Sequence, residues 1–443
     1  MSLPENILIV GGGVFGLSTA LSLSNRHPSS KITLLEASPM IPNPHGSSVD
    51  TSRIIRADYS NPTYAKLASE AVDLWRRTEW GHDGRYTQNG LLLVYPDGDS
   101  TAKEYTTKSY HNVKGLGEDA QFLPMKADVL RAAPAYGETL NVAGGYVNWS
   151  SGWADAEAGV RFAKEKLDKE GEVNFRTGEV SHLLFSPKDK KTVTGVVLND
   201  KDNTTITADL VILATGAWTA SLVDLRGRAV STGQAIAYMR ISDEEQRRLE
   251  NMPTILNFAT GIFIIPPRNN VLKIARHAYG YHNPKAVPVP GTSPNTVQET
   301  MHVSLPEKGV PIPLEGETAF RTALEQLLPT FADRPFIDTR ICWYTDTPNG
   351  DFIITHHPSY PSLFLATGGS GHAYKFFPLI GEKVVDALEG NLAPELKTLW
   401  DWPEAVDEAH FEGTEDGSRS GDKKLILMEE LAKTNKARRV GSL

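Results

Sequence analysis

The chain has 443 residues, of which 40% are hydrophobic and 22% charged, values typical of an ordinary soluble enzyme with two or three domain-sized units. Its formal net charge is −9 with no long block of lysine and arginine, so a nucleic-acid-binding surface is not expected. No apolar run reaches the roughly 18 residues that span a bilayer, so no membrane segment is expected either.

The first predicted element is a glycine turn between a short apolar strand and a helix. Residues 6–10 read Asn-Ile-Leu-Ile-Val, and Gly11-x-Gly13-x-x-Gly16 leads into a helix predicted over 17–25. In such a turn the first glycine allows the tight bend and the second lets backbone N–H groups approach a pyrophosphate. The third lets the helix pack closely on the strand. The helix N-terminus adds partial positive charge for the phosphates.

A second strand, predicted over 31–35, ends in Glu36, which comes 20 residues after Gly16 (36 − 16). At that position a carboxylate accepts hydrogen bonds from ribose hydroxyls. Strand, turn, helix, strand and acid in register therefore predict a dinucleotide-binding βαβ unit, with FAD and NAD both open. The alternative is a glycine-rich turn of another α/β protein, and the position of Glu36 argues against it. We expect Val14 and Phe15 of the turn to lie at the cofactor as well.

A distant apolar strand, 209–213, runs into Ala214-Thr215-Gly216-Ala217-Trp218. Many FAD enzymes built from two pieces bring a strand that ends in Ala-Thr-Gly back beside the nucleotide, so this run favours FAD over NAD. We place Val180, Gly216 and Trp218 at the cofactor. The patterns around this strand predict helices over 65–77 and 154–170 and strands over 90–95, 172–175 and 193–197.

Later segments change in character and predict how the domains are organised. Residues 230–335 mix strands such as 262–265 with proline-rich loops and a helix near 322–328. A second strand-into-glycine turn at 362–369 precedes a helix predicted over 379–388, and 404–443 are charged and polar. Because the nucleotide-type segments lie far apart, we predict one FAD-binding domain built from several pieces and interleaved with a substrate-binding domain. The predicted bounds are 1–85, 150–225 and 336–400 for the FAD-binding domain, 86–149 and 226–335 for the substrate-binding domain, and 401–443 for a surface tail.

Four blocks, in the same order over about residues 6–400, carry a resemblance to a known family. They are the glycine turn with Glu36, then Asp50-Thr51-Ser52-Arg53-Ile54-Ile55-Arg56, then Val271-Leu272-Lys273-Ile274 with His277, and last Cys342-Trp343-Tyr344-Thr345-Asp346-Thr347-Pro348 leading to Gly369-Ser370-Gly371-His372-Ala373-Tyr374-Lys375. The chain resembles the flavin-dependent amine oxidases that include monomeric sarcosine oxidase, pipecolate oxidase, saccharopine oxidase and the fungal fructosyl amino acid oxidases (amadoriases). This implies an α/β fold: a Rossmann-type FAD-binding domain from discontinuous segments plus a mixed β-sheet substrate domain, as in glutathione-reductase-like and D-amino-acid-oxidase-like enzymes.

The resemblance implies that the flavin is bound covalently through Cys342. A thiolate can add to the 8α-methyl carbon of oxidised flavin and leave a thioether. Taken alone, a single cysteine is more often a small buried hydrophobe, but its place in the fourth block favours the flavin link. By the same resemblance we expect further cofactor contacts from Ser52, Arg53, Gly369, Gly371, His372 and Lys375.

The same blocks imply which residues bind the substrate. Arg56 and Lys375 match the pair that holds the substrate carboxylate, where arginine offers a planar fork and lysine a compact second cation. Tyr344 and His277 match side chains that line the substrate pocket. For an isolated arginine or lysine the usual reading is a surface charge, but both cations here follow segments predicted to lie near the cofactor.

Two further cations are implied to lie beside the flavin ring. Lys273 matches a lysine thought to help reduced flavin react with O2, because a fixed positive charge stabilises the superoxide-like anion. The alternative without a catalytic role is that Lys273 lies on an exposed strand edge. Arg53 matches an arginine close to the ring.

The implied reaction is oxidation of the C–N bond of an N-substituted amino acid, giving an imine and H2O2 with O2 as acceptor. His277 stands where sarcosine oxidase has histidine and amadoriases typically have glutamate, whereas the fourth block is closer to amadoriases. We favour a substrate such as sarcosine, pipecolate or saccharopine, and a fructosyl amino acid is the alternative. A flavin dehydrogenase with another electron acceptor and a non-catalytic nucleotide-binding protein are the competing classes.

Metal, compartment and assembly are less constrained by the sequence. We expect no metal site, because adjacent His356 and His357 lack other ligands at suitable spacing. The single cysteine favours a reducing compartment, and no secretion signal is expected ahead of the strand that begins at Asn6. The final Gly441-Ser442-Leu443 keeps only the leucine of a peroxisomal Ser-Lys-Leu tripeptide. We therefore expect a peroxisomal or cytoplasmic monomer.

Overall fold

The computed structural model describes residues 3–137, 139–290, 299–407, 411 and 413–440, and the structural statements below concern these residues. The carboxyl-terminal Gly441-Ser442-Leu443, on which the peroxisomal expectation depends, lies outside them. Within the described residues, none of the helices has the length and apolar character needed to cross a membrane.

A sheet of six described strands carries the predicted βαβ unit. Asn6–Val10 pairs in parallel with Lys31–Glu36 on one side and with Leu210–Leu213 on the other. The distant strand that ends in Ala-Thr-Gly therefore lies beside the first strand, as predicted. The order across this sheet is Ile353–His356, Leu363–Thr367, Leu210–Leu213, Asn6–Val10, Lys31–Glu36 and Val173–Thr177.

The helix Val14–Arg26 begins directly at the glycine turn and is buried along most of its length. A Cβ atom on Gly16 would lie 1.8 Å from the Gly11 carbonyl oxygen, so a larger residue could not keep this close approach of helix and turn. The Ser18 hydroxyl donates to the Phe377 carbonyl at 2.8 Å and accepts from the Gly381 N–H at 2.8 Å. These contacts hold the N-terminus of the helix at the carboxyl end of the first strand.

A larger mixed sheet lies beside the first. Asp338–Asp346 pairs with Val230–Arg240 in an antiparallel register that sets Cys342 opposite Gln234. The strand that carries Cys342 thus belongs to this sheet, although its segment was assigned to the FAD-binding domain, and the predicted domain bounds stay a prediction. The remaining strands run in the order Leu425–Ile426, Tyr281–His282, Val230–Arg240, Val271–Arg276, Ile262–Arg268, Thr254–Asn257, Leu91–Tyr95, Gly144–Asn148 and Ala120–Leu123.

Three small sheets and a set of helices complete the described fold. The small sheets comprise Arg53–Ile55 with Gly152–Ala154 and Tyr86–Gln88, Val180–Phe185 with Val193–Leu198 and Thr205–Thr207, and Pro284–Pro288 with Thr300–Ser304. The α-helices are Val14–Arg26, Pro62–Arg77, Ser100–Gly115, Lys126–Ala132, Ala156–Glu170, Asp243–Leu249, Leu314–Leu327, Phe377–Glu389, Pro394–Trp400 and Leu427–Val440.

Two segments differ from the sequence-based expectation. The helix predicted near 322–328 begins at Leu314, because Pro313 stands at its N-cap and Glu315 and Glu317 complement the positive end of the helix. The segment expected to be a surface tail contributes a strand, Leu425–Ile426, which pairs with Tyr281–His282. Charged composition alone therefore missed a segment that is held by specific contacts.

Candidate active site

A series of adjoining cavities forms a cleft from the carboxyl ends of the first-sheet strands to the face of the larger sheet. The outer part is lined by Gly11, Gly13, Glu36, Val180, Gly216 and Trp218, and the middle part by Val14, Phe15, Arg53, Tyr344, Gly369, Gly371 and His372. The inner part is lined by Arg53, Arg56, His277, Cys342, Tyr344, Gly371, His372 and Lys375. Neighbouring parts share lining residues, so the cleft can take one extended ligand.

The cleft brings together most of the residues that the sequence singled out. Three do not line it. Gly16 packs against Gly11, Ser52 offers its carbonyl oxygen to Lys273, and Lys273 lies behind the lining beside Asp50. The two adjacent histidines lie elsewhere: His356 packs on Phe364 and His357 stacks on Tyr360. Among the described residues, no group of three or more His, Cys, Asp or Glu side chains is arranged to hold a metal ion.

The outer part of the cleft fits the pyrophosphate and ribose of a dinucleotide. Gly11 has a φ of +111°, and a Cβ atom there would lie 2.4 Å from the Ala214 carbonyl oxygen, so the turn stays free of side chains. The buried Glu36 carboxylate accepts from the Gly12 N–H at 2.7 Å and, through its other oxygen, from Asn43 Nδ2 at 2.8 Å. A bare backbone turn at a helix N-terminus and a fixed carboxylate at the next strand end are the groups that FAD requires.

Beside Cys342 lies a buried group of charged side chains, Asp50, Arg53 and Lys273, which we call the paired cluster. Arg53 contacts Asp50 through Nη1, and Lys273 Nζ donates to Asp50 Oδ2 at 2.8 Å. The Tyr238 hydroxyl donates to the other carboxylate oxygen at 2.7 Å. The cluster thus holds Asp50 and Lys273 out of water, while Arg53, with 16% of its side chain exposed, lies on the wall of the cleft.

The charges in the paired cluster shift one another's protonation. Burial alone would raise the pKa of Asp50, but Lys273 and Arg53 outweigh it and hold that pKa well below its usual range. Burial, with some help from the like charge of Arg53, lowers the pKa of Lys273 to about 8, although Asp50 pulls in the opposite direction. At neutral pH Asp50 is therefore ionised and Lys273 is mostly charged.

Deeper in the cleft is a second basic group, Arg56 and Lys375 with Tyr59 and His372, which we call the unpaired cluster. Arg56 is 6% exposed, and its Nη1 has no hydrogen-bond partner among the described residues. Lys375 is 3% exposed and donates to the Tyr59 hydroxyl and the His372 carbonyl oxygen, both at 2.7 Å. Neither cation forms an ion pair with a carboxylate in the described part of the chain, and the cluster therefore offers an anion site at the inner end of the cleft.

The carboxylate nearest to Arg56 along the chain, Asp58, is engaged elsewhere. It accepts from the hydroxyls of Tyr146 at 2.8 Å and Ser151 at 2.6 Å, and from Asn148 Nδ2 at 3.1 Å. Burial raises the pKa of Asp58 and outweighs the opposing effect of Arg56. Asp58 therefore does not close the site that Arg56 leaves open.

His277 is fixed by an arginine that sequence reasoning missed. Arg419 Nη1 donates to His277 Nδ1 at 2.8 Å, so a neutral ring carries its proton on Nε2. Burial, with Arg419 beside it, lowers the pKa of His277 well below its usual value, so the ring is neutral near pH 7. The same guanidinium bonds Asp346 at 2.5 Å and the Ser370 carbonyl at 2.9 Å, and its side chain is 1% exposed.

Sequence reasoning assigned no role to the other functional candidates, some of which it included only as part of a motif. Asp50 and Asp346 stand inside the second and fourth blocks, but a block gives no partner for either carboxylate. Tyr59 lies three residues beyond the second block. The signal for Arg419 is weak: an arginine between glycines and serines, Gly417-Ser418-Arg419-Ser420-Gly421, in a segment that is otherwise rich in charge.

Comparisons with known proteins agree with this geometry. The model of a family described as FAD dependent oxidoreductase matches residues 6–387. An amino acid oxidase of Aspergillus flavus is 33% identical over 91% of this chain and 98% of its own, and the L-saccharopine oxidase of Schizosaccharomyces pombe is 28% identical over 90% and 93%. A crystal structure of a modified fructosyl peptide oxidase from Aspergillus nidulans superposes with a TM-score of 0.84 at 28% identity, covering 97% of this chain and 99% of that one.

Proposed function

This chain belongs to the family of FAD-dependent oxidoreductases, and from that premise we propose that it oxidises the C–N bond of an N-substituted amino acid. Family and superposition confirm the predicted fold class, an α/β fold with mixed sheets, and FAD as the cofactor. The observation that carries the proposal is Arg56. A buried guanidinium with a free N–H group, at the inner end of the FAD cleft, is what a substrate carboxylate requires.

Bound in the cleft, FAD would supply the redox chemistry, namely uptake of a hydride equivalent from the carbon beside nitrogen and delivery of the electrons to O2. The chain's own residues position the substrate. Arg56 holds the carboxylate, and the ring of Tyr344 and the neutral ring of His277 bound the space beside it. The substrate must present a neutral amine, because an ammonium has no lone pair to assist loss of hydride.

Lys273 and Arg53 supply positive charge beside Cys342. Asp50 holds both cations in place, so the charge needs little reorganisation when electron transfer to O2 develops an anion nearby. This arrangement supports an oxidase over a flavin dehydrogenase that uses another acceptor.

A covalent flavin bond at Cys342 is part of the proposal. Cys342 lines the inner cleft, and Arg53 Nη2 lies 3.3 Å from its Sγ. After acid denaturation we expect the yellow colour to remain with the protein, and Cys342→Ser to release it. Colour in the supernatant of the unmutated protein would exclude the bond without touching the oxidase assignment.

The experiment that tests the function is an anaerobic bleaching screen of the purified holoenzyme, followed by an assay for H2O2 in air. The screen uses sarcosine, pipecolate, saccharopine and fructosyl-valine. We expect bleaching and H2O2 with at least one of the first three, strong slowing of both in Arg56→Met, and unchanged rates of both in Arg176→Met, which removes an exposed arginine. Failure of every amino acid to bleach a flavin that dithionite reduces would refute the proposal.

The second candidate is a fructosyl amino acid oxidase, which the likeness to the fructosyl peptide oxidase structure favours. The neutral His277 argues for the first candidate, since amadoriases typically place a glutamate there. Bleaching by fructosyl-valine alone would decide for the second. Bleaching without H2O2 would instead indicate a dehydrogenase.

We propose that the enzyme acts as a monomer, with a small amino acid and O2 as its partners, in the peroxisome or the cytoplasm. The peroxisomal option depends on Gly441-Ser442-Leu443, which lie outside the described residues. Size-exclusion chromatography with light scattering tests the first point, and fluorescence microscopy of the chain with and without its last three residues tests the second.

A further inference from the structure

Lys375 is a buried lysine that contacts no carboxylate among the described residues. It belongs to the unpaired cluster, and its neighbour there is Arg56, which carries a permanent positive charge. Burial and Arg56 together lower the pKa of Lys375 well below its usual value. Before a ligand binds, therefore, the free amine is the form that this environment favours.

A chain of hydrogen bonds fixes which way the Lys375 amine points. The Gly350 carbonyl can only accept, so His372 Nε2, 2.7 Å away, carries the ring proton. Burial lowers the pKa of His372 well below its usual value, so the ring is neutral and Nδ1 accepts from the Tyr59 hydroxyl at 2.8 Å. With its proton committed to His372, the Tyr59 oxygen accepts from Lys375.

Both protein contacts of Lys375 Nζ therefore use N–H groups. A free amine has two of them, and they go to the Tyr59 oxygen and the His372 carbonyl, each at 2.7 Å. The lone pair occupies the remaining tetrahedral position, which is left for a group bound in the cavity that Lys375 lines. The site thus presents a base next to the carboxylate-binding Arg56.

We propose that Lys375 is the proton acceptor that converts the substrate ammonium to the neutral amine needed for oxidation. The N–H bond of the ammonium breaks, the proton bonds to Nζ, and the electron pair stays on the substrate nitrogen. A zwitterion and a neutral lysine become a neutral amine, a carboxylate and a lysinium, so the net charge of the site does not change. This inference rests on the proposed function and deepens it.

Carboxylate binding and proton transfer assist each other in this scheme. The arriving carboxylate places negative charge beside Arg56 and Lys375 and so raises the proton affinity of Lys375 when the substrate ammonium is within reach. Once protonated, Lys375 becomes the second cation that holds the carboxylate. The cation that the resemblance implies and the base proposed from the structure are thus successive states of one side chain.

Other groups around Lys375 compete weakly for this role. The charged or titratable groups that face it, directly or through a neighbour, include Arg56, Asp58, Tyr59, His277, His372 and Arg419, with Tyr105 and Asp416 beyond Arg56 and Tyr59. The arginines stay charged, Asp58 is bound by its own donors, and burial raises the pKa of Tyr59 well above its usual value. The accepting nitrogens of His277 and His372 are occupied by Arg419 and Tyr59.

The first test counts protons when a carboxylate without an amine binds. Acetate is titrated into the holoenzyme near neutral pH by calorimetry, in buffers that differ in ionisation enthalpy. We expect about one proton to be taken up per acetate bound, because Lys375 becomes charged. In Lys375→Arg we expect none, since arginine is already charged, and the exposed control Lys397→Arg should behave as the wild type. No uptake in the wild type, or persistent uptake in Lys375→Arg, would overturn the inference.

The second test follows anaerobic flavin reduction as a function of pH with the substrate found in the screen. In the wild type the apparent second-order rate constant should be nearly flat across neutral pH. In Lys375→Arg, and in Lys375→Met if the first variant does not hold FAD, it should rise about tenfold per pH unit, because only free-base substrate reacts. A shared profile in wild type and variant would remove the base role and leave the oxidase assignment intact, whereas no reduction of the wild type refutes the function itself.

Discussion

The two basic clusters of the inner cleft differ by one carboxylate. In the paired cluster Asp50 contacts both Arg53 and Lys273, whereas in the unpaired cluster Arg56 and Lys375 contact no carboxylate of the described chain. A buried cation without a partner costs several kcal/mol, so the second arrangement persists where a ligand supplies the anion. The difference supports our proposal that one cluster keeps a positive charge in place and the other receives a charged substrate.

The largest expected effect comes from removing the shared carboxylate. Asp50→Asn leaves two buried cations without their anion, and we expect the free energy of unfolding of the holoenzyme to fall by about 3–5 kcal/mol. Denaturant unfolding measures it. As a control, Glu104→Gln breaks the exposed pair with Lys108 and should leave stability nearly unchanged, because solvent screens that pair. Similar losses in both variants would show that Asp50 does not stabilise the paired cluster.

The second substitution removes a cation from the unpaired cluster, where the first removed an anion from the paired cluster. Arg56→Met should reduce kcat/KM about 100- to 1000-fold, because a two-point charge-assisted contact with the substrate is lost. Stability of the substrate-free protein should hold or increase, since an unpaired buried charge disappears. A variant that unfolds easily yet keeps its kcat/KM would contradict this division of roles.

The paired cluster should also set the pH dependence of reoxidation. Lys273 is charged below its pKa of about 8 and neutral above it. If its charge assists the reaction with O2, the rate constant for reoxidation should fall as pH rises through about 8, by about tenfold at the alkaline limit. Stopped-flow mixing of reduced enzyme with O2 gives the profile, which should be flat in Lys273→Met. The same alkaline fall in that variant would assign it to another group.

The smallest kinetic effect concerns the arginine that positions His277. Arg419→Gln removes the donor to Nδ1, and we expect KM to rise about threefold to tenfold with a smaller change in kcat. Loss of the Arg419 charge should raise the pKa of His277, although burial still lowers it, so KM should acquire a pH dependence on the acid side of neutral that the wild type lacks. Arg419→Lys should restore part of the affinity. A loss of folded protein without any new pH dependence would make Arg419 a structural residue.

The outer and inner parts of the cleft were unequally predictable from the sequence. The dinucleotide end follows from a continuous stretch of about 30 residues, in which the strand, the glycines and Glu36 dictate one local geometry. The inner end is assembled by tertiary contact. Arg419 meets His277, Asp346 and Ser370 across 142, 73 and 49 residues of sequence, and Lys273 meets Asp50 across 223.

The resemblance named most inner residues but not their partners. It located Arg56, Lys273 and Lys375, yet no spacing rule shows that Asp50 engages one lysine while the other has no carboxylate. That distinction depends on which side chains the larger sheet and the segment around Arg419 bring together. It also changes the role that we infer for Lys375, from a permanent cation to a group that becomes charged when the substrate binds.

One measurement separates the two clusters most directly. It is the rate of flavin reduction by substrate and the rate of reoxidation by O2, each determined in Arg56→Met and in Lys273→Met. Each variant is first mixed with substrate without O2, and the reduced enzyme is then mixed with O2. The account predicts that Arg56→Met slows flavin reduction and reoxidises normally, whereas Lys273→Met is reduced normally and reoxidises slowly. If both substitutions slow the same half-reaction, or if Arg56→Met slows only reoxidation and Lys273→Met slows only reduction, the two clusters do not have the separate roles proposed.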